Sequence, residues 1–265
     1  LLKGNNIDWL LNYKGGSFLV DYKNEILQES KLRGITVSTV NAATLNQIYQ
    51  DIENNNMDIV LLEKAPKIAV YSPKDKQPWD DAVTLALTYA EVDYETIFDY
   101  EVLDGELSKY DWLHLHHEDF TGQYGKFYRS FRNASWYKEQ ENKFNQIASS
   151  RGFKSVHELK KNIALNIKNY IINGGFIFAM CSATDSFDIA LASLETDIAA
   201  SVFDGTPIDP NYQSKLNFKN SLAFENYQLY TDPYIYEYST IDYPPSHLPN
   251  TKGAEADYFT LFEFS

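Results

Sequence analysis

Residues 174–185 read GGFIFAMCSATD, and this stretch decides the fold. Two glycines end a helical segment, the residues from Phe176 to Met180 are all apolar, and small residues follow Cys181. A short apolar run bounded by glycine predicts a strand, and the small residues predict a tight turn. Because a helical pattern resumes over 185–193, the stretch predicts a strand, a turn at Cys181 and a helix, in that order.

The alternation of strands and helices extends from this stretch towards the N-terminus. Apolar or β-branched runs predict strands over 67–71, 94–98 and 110–115, and helical spacing predicts helices over 80–91 and 157–173. Such alternation is typical of a parallel sheet that helices cover on both faces. We therefore predict an α/β fold with a doubly wound, mostly parallel sheet. No GxGxxG pattern follows any of these strands, so we predict no dinucleotide cofactor and no other cofactor.

Two domains are expected. Residues 1–65 predict an N-terminal βαβ unit packed on the main domain, with strands over 17–20, 35–40 and 58–62 and helices over 24–33 and 42–54. Residues 66–265 form the main domain, which carries an aromatic-rich insertion over 118–155. Its extension over 195–265 is rich in Tyr, Asn, Asp and Pro, which predicts strands and long loops without helical periodicity.

The charge balance narrows the possible partners. The chain of 265 residues has 23 Lys and Arg against 37 Asp and Glu, a formal net charge of −14. A negative field of this size repels nucleic-acid backbones and anionic lipid surfaces, so we predict a small-molecule substrate and neither nucleic acid nor membrane as partner. No apolar run approaches the roughly 18 residues of a membrane span. A single cysteine excludes an internal disulfide bond.

Both ends of the chain suggest that the natural protein is longer. The chain begins at Leu1 rather than Met, so we expect that a leader has been removed and that the protein is exported to the periplasm, with a cytoplasmic location as the alternative. Residues 257–264 alternate like a half-buried strand. A domain seldom stops in the middle of a strand, so we expect the chain to continue past Ser265.

The turn at Cys181 has the pattern of a nucleophile elbow. Such a turn lifts one side chain out of the carboxyl edge of the sheet, where the next backbone N–H and the helix dipole face it. Cys181 is then a nucleophile and the N–H of Ser182 an oxyanion donor. The alternative is a small buried cysteine, with Thr184 or Asp185 capping the helix.

Histidines cluster where the strand over 110–115 ends. The helix over 157–173 joins this strand to the one that leads to Cys181, and a right-handed crossover places the two strands side by side, about 4.8 Å apart. We therefore expect His116 or His117 to lie beside Cys181 as the base, oriented by Glu118 or Asp119.

The histidine cluster also permits two other interpretations. His114, His116 and Asp119 are residue types that ligate zinc, iron or manganese. Otherwise the cluster is a polar strand end whose imidazoles form hydrogen bonds within the core.

Further candidates line the same edge of the sheet. Gln77 and Trp79 follow the strand over 67–71, and Asp185 follows the cysteine turn; we predict all three as substrate-binding residues. Basic and aromatic residues alternate over 124–143, a pattern that stacks on a sugar or a base or, as we favour, packs aromatic rings on the domain.

Four runs carry a resemblance to known proteins. They are WLLNYKGGSF (9–18), KIAVYSPKDKQPWDDAVTLALTYAE (67–91), YDWLHLHHEDFTGQYGKFY (110–128) and FIFAMCSATDSFDIALA (176–192). The strand, cysteine turn and helix resemble the class I glutamine amidotransferase-like superfamily, whose fold is flavodoxin-like. More closely, the runs resemble a bacterial family often labelled asparagine synthetase B. The chain lacks the N-terminal cysteine and the SGGxDS loop of a glutamine-dependent asparagine synthetase, so that activity is not predicted.

The resemblance assigns one functional residue. Members of the superfamily carry GxCxGxQ at the turn and a later His-x-Glu, and only Cys181 of this chain matches that pattern. We therefore predict a cysteine-nucleophile hydrolase or amidase that acts on a small polar substrate. The alternatives are a catalytically silent domain that binds a ligand or protein, and a metal-dependent hydrolase centred on residues 114–119.

Overall fold

The computed structural model of the chain describes residues 4–74 and 82–242. The chain divides into two compact units, Leu1–Pro66 and Lys67–Ser265. This division lies next to the boundary predicted after residue 65. Each unit contains a sheet of its own.

The first unit is built on a three-stranded antiparallel sheet with the strand order β2-β1-β3. Its elements are β1 (Ile7–Leu10), β2 (Ser17–Val20), α1 (Asn24–Leu32), α2 (Ala42–Asn54) and β3 (Ile59–Leu62). The side chain of Asn41 caps α2 by accepting a hydrogen bond from the Thr44 N–H at 2.9 Å. Two helices therefore connect the outer strands β2 and β3, and β1 lies between those strands.

The predicted βαβ unit is wrong in two respects. The strand expected over 35–40 is not formed, and Ile35, Val37 and Val40 are 58%, 42% and 41% exposed. Strand propensity depends on packing against neighbours, and these β-branched residues lack the burial that would reinforce it. The central strand is instead β1, which the sequence pattern did not predict and whose Leu10 is buried.

The second unit contains a four-stranded, entirely parallel sheet flanked by helices, compatible with a doubly wound α/β fold. The strands are β4 (Ile68–Tyr71), β5 (Tyr94–Ile97), β6 (Trp112–Leu115) and β7 (Phe176–Ala179), in the order β5-β4-β6-β7. The helices are α3 (Ala82–Tyr89), α4 (Asp99–Leu103), α5 (Tyr128–Phe131), α6 (Ser135–Ser150), α7 (Val156–Ile172), α8 (Ser182–Ala192), α9 (Ser201–Asp204) and α10 (Tyr212–Lys215). The predicted pairing of the two strands that precede the histidine cluster and Cys181 is confirmed, because Leu115 lies opposite Ala179.

Helix α7 provides the crossover between β6 and β7. Ser155 caps its first turn by accepting a hydrogen bond from the Glu158 N–H at 3.1 Å. Leu159, Ile163 and Ile167 recur at helical spacing and have no exposed surface, so this stripe faces the core. Burial of one face therefore fixes the helix against the sheet.

A buried ionic cluster fills the core at the carboxyl ends of β4 and β5. The Nζ atom of Lys160 lies 2.8 and 3.0 Å from the two carboxylate oxygens of Asp99 and 2.9 Å from the Tyr71 hydroxyl. The Tyr71 hydroxyl donates to Asp99 as well. Burial and the Asp99 carboxylate raise the pKa of Tyr71 well above its ordinary value. All three side chains are almost completely buried, so the cluster is a closed, mutually satisfied network.

The insertion over 118–155 packs its aromatic residues on the domain, as favoured from the sequence. Tyr124 and Tyr137 are buried in the main core, and Phe127, Tyr128 and Phe131 pack against it.

The extension after residue 195 differs from the prediction. In its described part, up to residue 242, it forms the short helices α9 and α10, loops and one isolated bridge between Leu229 and Ser239, rather than several strands. Asp188 of α8, rather than strand pairing, holds part of the extension in place. Its carboxylate accepts the backbone N–H groups of residues 222–224 at 2.7 to 2.8 Å. The strand predicted over 257–264 lies outside the described residues.

Candidate functional site

The turn after β7 holds Cys181 in an unusual backbone conformation. β7 ends at Ala179, α8 begins at Ser182, and Cys181 has φ 54° and ψ −144°. A residue with a β-carbon rarely adopts so positive a φ, and holding it there costs about 1–3 kcal/mol. The cysteine is exposed. The fold therefore maintains a strained turn that presents a thiol to solvent at the carboxyl edge of the sheet.

Hydrogen bonds tie this turn to the histidine segment that follows β6. The Ala183 N–H donates to the carbonyl oxygen of His116 at 3.0 Å. The Ser182 hydroxyl donates to the carbonyl oxygen of His117 at 3.1 Å. Both residues that follow the cysteine thus bind the backbone of the two candidate bases, so the chain segments stay adjacent past the ends of their strands.

The first turn of α8 directs several of its polar groups to nearby backbone carbonyls. The initial N–H groups of a helix have no partner within the helix. Ala183 donates to the histidine segment, and both the N–H and the hydroxyl of Thr184 donate to the Cys181 carbonyl, at 3.1 and 2.7 Å. Ser182 is the residue that directly follows the thiol, and its role as oxyanion donor stays a prediction.

The two candidate bases contact each other. The Nδ1 atoms of His116 and His117 lie 2.9 Å apart, and the rings meet edge to face with centroids 4.5 Å apart. A hydrogen bond between two ring nitrogens requires one to donate and the other to accept. If the strand continued, its alternation would place His116 and His117 on opposite faces of the sheet. This alternation does not apply to them, because β6 ends at Leu115 and both histidines follow it.

His114 lies apart from this pair. Its ring is buried between Trp112 and Phe178, with centroid distances of 6.1 and 5.1 Å. Within residues 4–74 and 82–242, no three His, Cys, Asp or Glu side chains are grouped so that they could hold a metal ion. The proposed ligands His114, His116 and Asp119 are therefore not brought together.

The prediction that Asp119 orients a histidine is corrected. Its carboxylate organises the following loop by accepting hydrogen bonds from the N–H and hydroxyl of Thr121 at 2.7 and 2.6 Å. It also accepts the N–H groups of Gln123 and Gly125 at 2.7 and 3.1 Å. These four hydrogen bonds engage the Asp119 carboxylate within its own loop. Glu118 is fixed through its backbone carbonyl, which accepts the Ser186 hydroxyl at 3.1 Å, and its orienting role stays a prediction.

Asp185 occupies a buried position rather than an open substrate site. It has no exposed surface, and its carboxylate accepts the Ser186 N–H at 2.8 Å. Burial, together with a hydrogen bond to Asp242 and the charge of that residue, raises the pKa of Asp185 to about 9. The group is therefore a neutral acid at pH 7 that pairs with a second carboxyl group. No local sequence pattern indicates this pair, because Asp242 lies in the loop-rich extension.

The remaining candidates, Gln77 and Trp79, lie outside the described residues. They belong to the segment 75–81 that follows β4. Their predicted contact with a substrate stays a prediction.

Comparison with known proteins yields no assignment: no family model, curated protein or solved structure matches the chain. In the described part of the chain, every helix is too short or too polar to cross a membrane.

Proposed function

We propose that the protein is a cysteine-nucleophile hydrolase, of amidase type, that acts on a small polar substrate. The observation that carries this proposal is the strained conformation of Cys181 between a parallel strand and a helix, with the turn bonded to His116 and His117. A fold gains no stability from a positive φ at a residue with a β-carbon. Such strain at an exposed reactive side chain favours a functional role.

The strand order supports the same proposal. Counted within the second unit, β5-β4-β6-β7 is the order 2-1-3-4, with which a flavodoxin-like sheet begins. In such sheets ligands bind where the order reverses, at the carboxyl ends of the two central strands. That position lies between β4 and β6, and β6 is followed directly by the histidine pair. It agrees with the resemblance to the class I glutamine amidotransferase-like superfamily.

The contact between the two histidines divides the tasks of base and positioning residue between them. The ring that donates its Nδ1 proton keeps a lone pair on Nε2 and can accept a proton there. The other ring accepts the Nδ1 proton and orients the first, the task that a carboxylate performs in a Ser-His-Asp triad. His116 and His117 are thus a base and a positioning residue.

The reaction proceeds through a thioester. The base takes the proton of the Cys181 thiol, and the thiolate sulfur forms a bond to the substrate carbonyl carbon. The Ser182 N–H stabilises the oxyanion. The protonated histidine then gives its proton to the leaving nitrogen as the C–N bond breaks. Water, deprotonated by the same histidine, attacks the thioester and releases the carboxylic acid and the free thiol.

Acylation of the thiol tests this proposal directly. We expect p-nitrophenyl acetate to place one acetyl group on Cys181, detected by intact-mass measurement with peptide mapping, and to be turned over. Cys181→Ala should lose the adduct, and His116→Gln/His117→Gln should slow its formation by about 100-fold, the usual contribution of a general base. His114→Phe is the matched control, because it keeps a ring between Trp112 and Phe178.

Two results would overturn the proposal. One is a folded wild-type protein whose Cys181 never acylates. The other is acylation at equal rates in the wild type and the double histidine variant. Either result would favour the interpretation as a catalytically silent binding domain.

A further inference from the structure

A cavity lies at the edge of the parallel sheet that is opposite to Cys181. It has a volume of about 540 Å³ and includes Asp111, which precedes β6, and Gly175, which precedes β7. Residues of α7 and of the segment 102–108 complete its wall. Each strand has four residues, which places this cavity roughly 13 Å along the strands from the cysteine edge. Its volume falls within the roughly 300–1,000 Å³ of small-molecule sites.

One wall of the cavity is a row of amide side chains. Asn166 and Asn169 lie at positions i and i+3 of α7, and Asn173 is the residue that caps its C-terminus. The Nδ2 group of Asn166 donates to the Asn162 carbonyl at 2.9 Å, and that of Asn173 donates to the Asn169 carbonyl at 2.8 Å. Both amides therefore keep their Oδ1 atoms as acceptors for a ligand.

The opposite wall adds a hydroxyl group. The Ser108 hydroxyl donates to the Gly105 carbonyl at 3.1 Å, so its lone pairs can accept a hydrogen bond. Gly105 has φ 80°, and a β-carbon at this position would meet open space. This wall thus combines the Ser108 hydroxyl, which can accept a hydrogen bond, with open space at Gly105.

The floor of the cavity is apolar and rigid. Val102 and Leu107 are buried, and the Tyr170 ring packs so closely on Gly175 that a β-carbon there would overlap it. The Tyr170 hydroxyl donates to the Tyr110 carbonyl at 3.3 Å. These contacts hold the apolar floor in place.

The charge of the lining disfavours an anionic ligand. Asp111 is the single lining residue with a formal charge, and its Oδ2 atom accepts the Lys67 N–H at 2.9 Å. An anion would lose its hydration in this cavity without meeting an opposing cation. Hydroxyl groups match the row of acceptors, and a ring with an apolar face matches the floor. We propose that this cavity binds a neutral saccharide.

Binding of defined sugars tests the proposal. Titration calorimetry and saturation-transfer NMR would use glucose, galactose, N-acetylglucosamine, maltose, cellobiose and lactose as probes. We expect at least one of them to bind the wild type. Its affinity should fall about tenfold or more in Asn166→Ala/Asn169→Ala, because hydrogen bonds to the ligand are lost. Asn162→Ala is the matched control, since Asn162 lies one turn away on α7 and its Nδ2 group donates to the Glu158 carbonyl.

A second variant keeps the test decisive if the amide variants unfold. Ser108 is exposed at the cavity wall, and Ser108→Trp should fill the space without disturbing the core and abolish binding. Cys181→Ala should bind as the wild type does, which separates this site from the proposed reaction. The proposal is overturned if no sugar binds, if Ser108→Trp binds normally, or if glucose 6-phosphate or glucosamine binds more tightly than glucose.

Discussion

The carboxyl edge of the parallel sheet carries polar residues on both halves, and the two halves use them in opposite ways. At the ends of β4 and β5, Tyr71, Asp99 and Lys160 satisfy one another in a sealed core. At the ends of β6 and β7, Cys181 and His117 are exposed, and the backbone at the cysteine is strained. The sealed half satisfies its polar groups within the core, and the open half holds the groups that we propose to be catalytic.

The largest expected effect falls on the sealed half. Lys160→Met removes the cation and leaves the Asp99 carboxylate buried without its partner. Breaking a buried pair in this way costs about 3–5 kcal/mol of unfolding free energy. Urea unfolding should show this loss, whereas Lys154→Met, at an exposed position before α7, should stay close to the wild type. Equal stability of the two variants would show that the ionic cluster does not support the core.

The second prediction concerns the buried acid beneath the reactive turn. Asp185 has a pKa of about 9 in the folded protein against an ordinary value of 3.8. Between these values the folded state holds a proton that the unfolded state has lost, so the stability of the wild type falls as pH rises through this window. Asp185→Asn removes this dependence. The unfolding free energy of the variant should therefore rise relative to that of the wild type as pH increases from about 4 towards 9.

Thermal and urea unfolding across pH would measure that difference. Asp242→Asn removes the charge that faces Asp185, so it should weaken the pH dependence without abolishing it, because burial is the first cause of the raised pKa. If the unfolding free energies of Asp185→Asn and the wild type differ by the same amount from acid to neutral pH, the assignment of a neutral buried acid is contradicted.

The smallest expected stability effect falls on the open half. Cys181→Gly should be more stable than Cys181→Ala by about 1 kcal/mol, because glycine adopts φ 54° without strain and the relief exceeds its entropic cost. Both variants should lose acylation. If alanine is as stable as glycine here, the turn is not strained.

Local sequence patterns predicted individual strands and helices of the second unit. The apolar run before Cys181 and the stripe on α7 each specify an element, and the crossover rule then made β6 and β7 neighbours. The strand over 35–40 failed because β-branched residues form a strand only where a neighbour covers them.

The candidate site was predictable to the same extent. The cysteine turn and its histidine neighbours follow from strand order, but the contact between His116 and His117 depends on where β6 ends. The pairing of Asp185 with Asp242 and the capture of the Asp119 carboxylate by its own loop depend on long-range packing and loop geometry. Sequence periodicity does not report either.

The pH dependence of Cys181 alkylation tests the central claim most directly. The chain has one cysteine, so the intact mass after iodoacetamide treatment reports on that residue alone. At about pH 7 we predict that the folded wild type reacts at least about tenfold faster than His116→Gln/His117→Gln, because the imidazole pair accepts the thiol proton. The two rates should converge above about pH 10, where thiols are ionised without help. Identical profiles for both proteins, or alkylation of the wild type only after unfolding, would contradict the account.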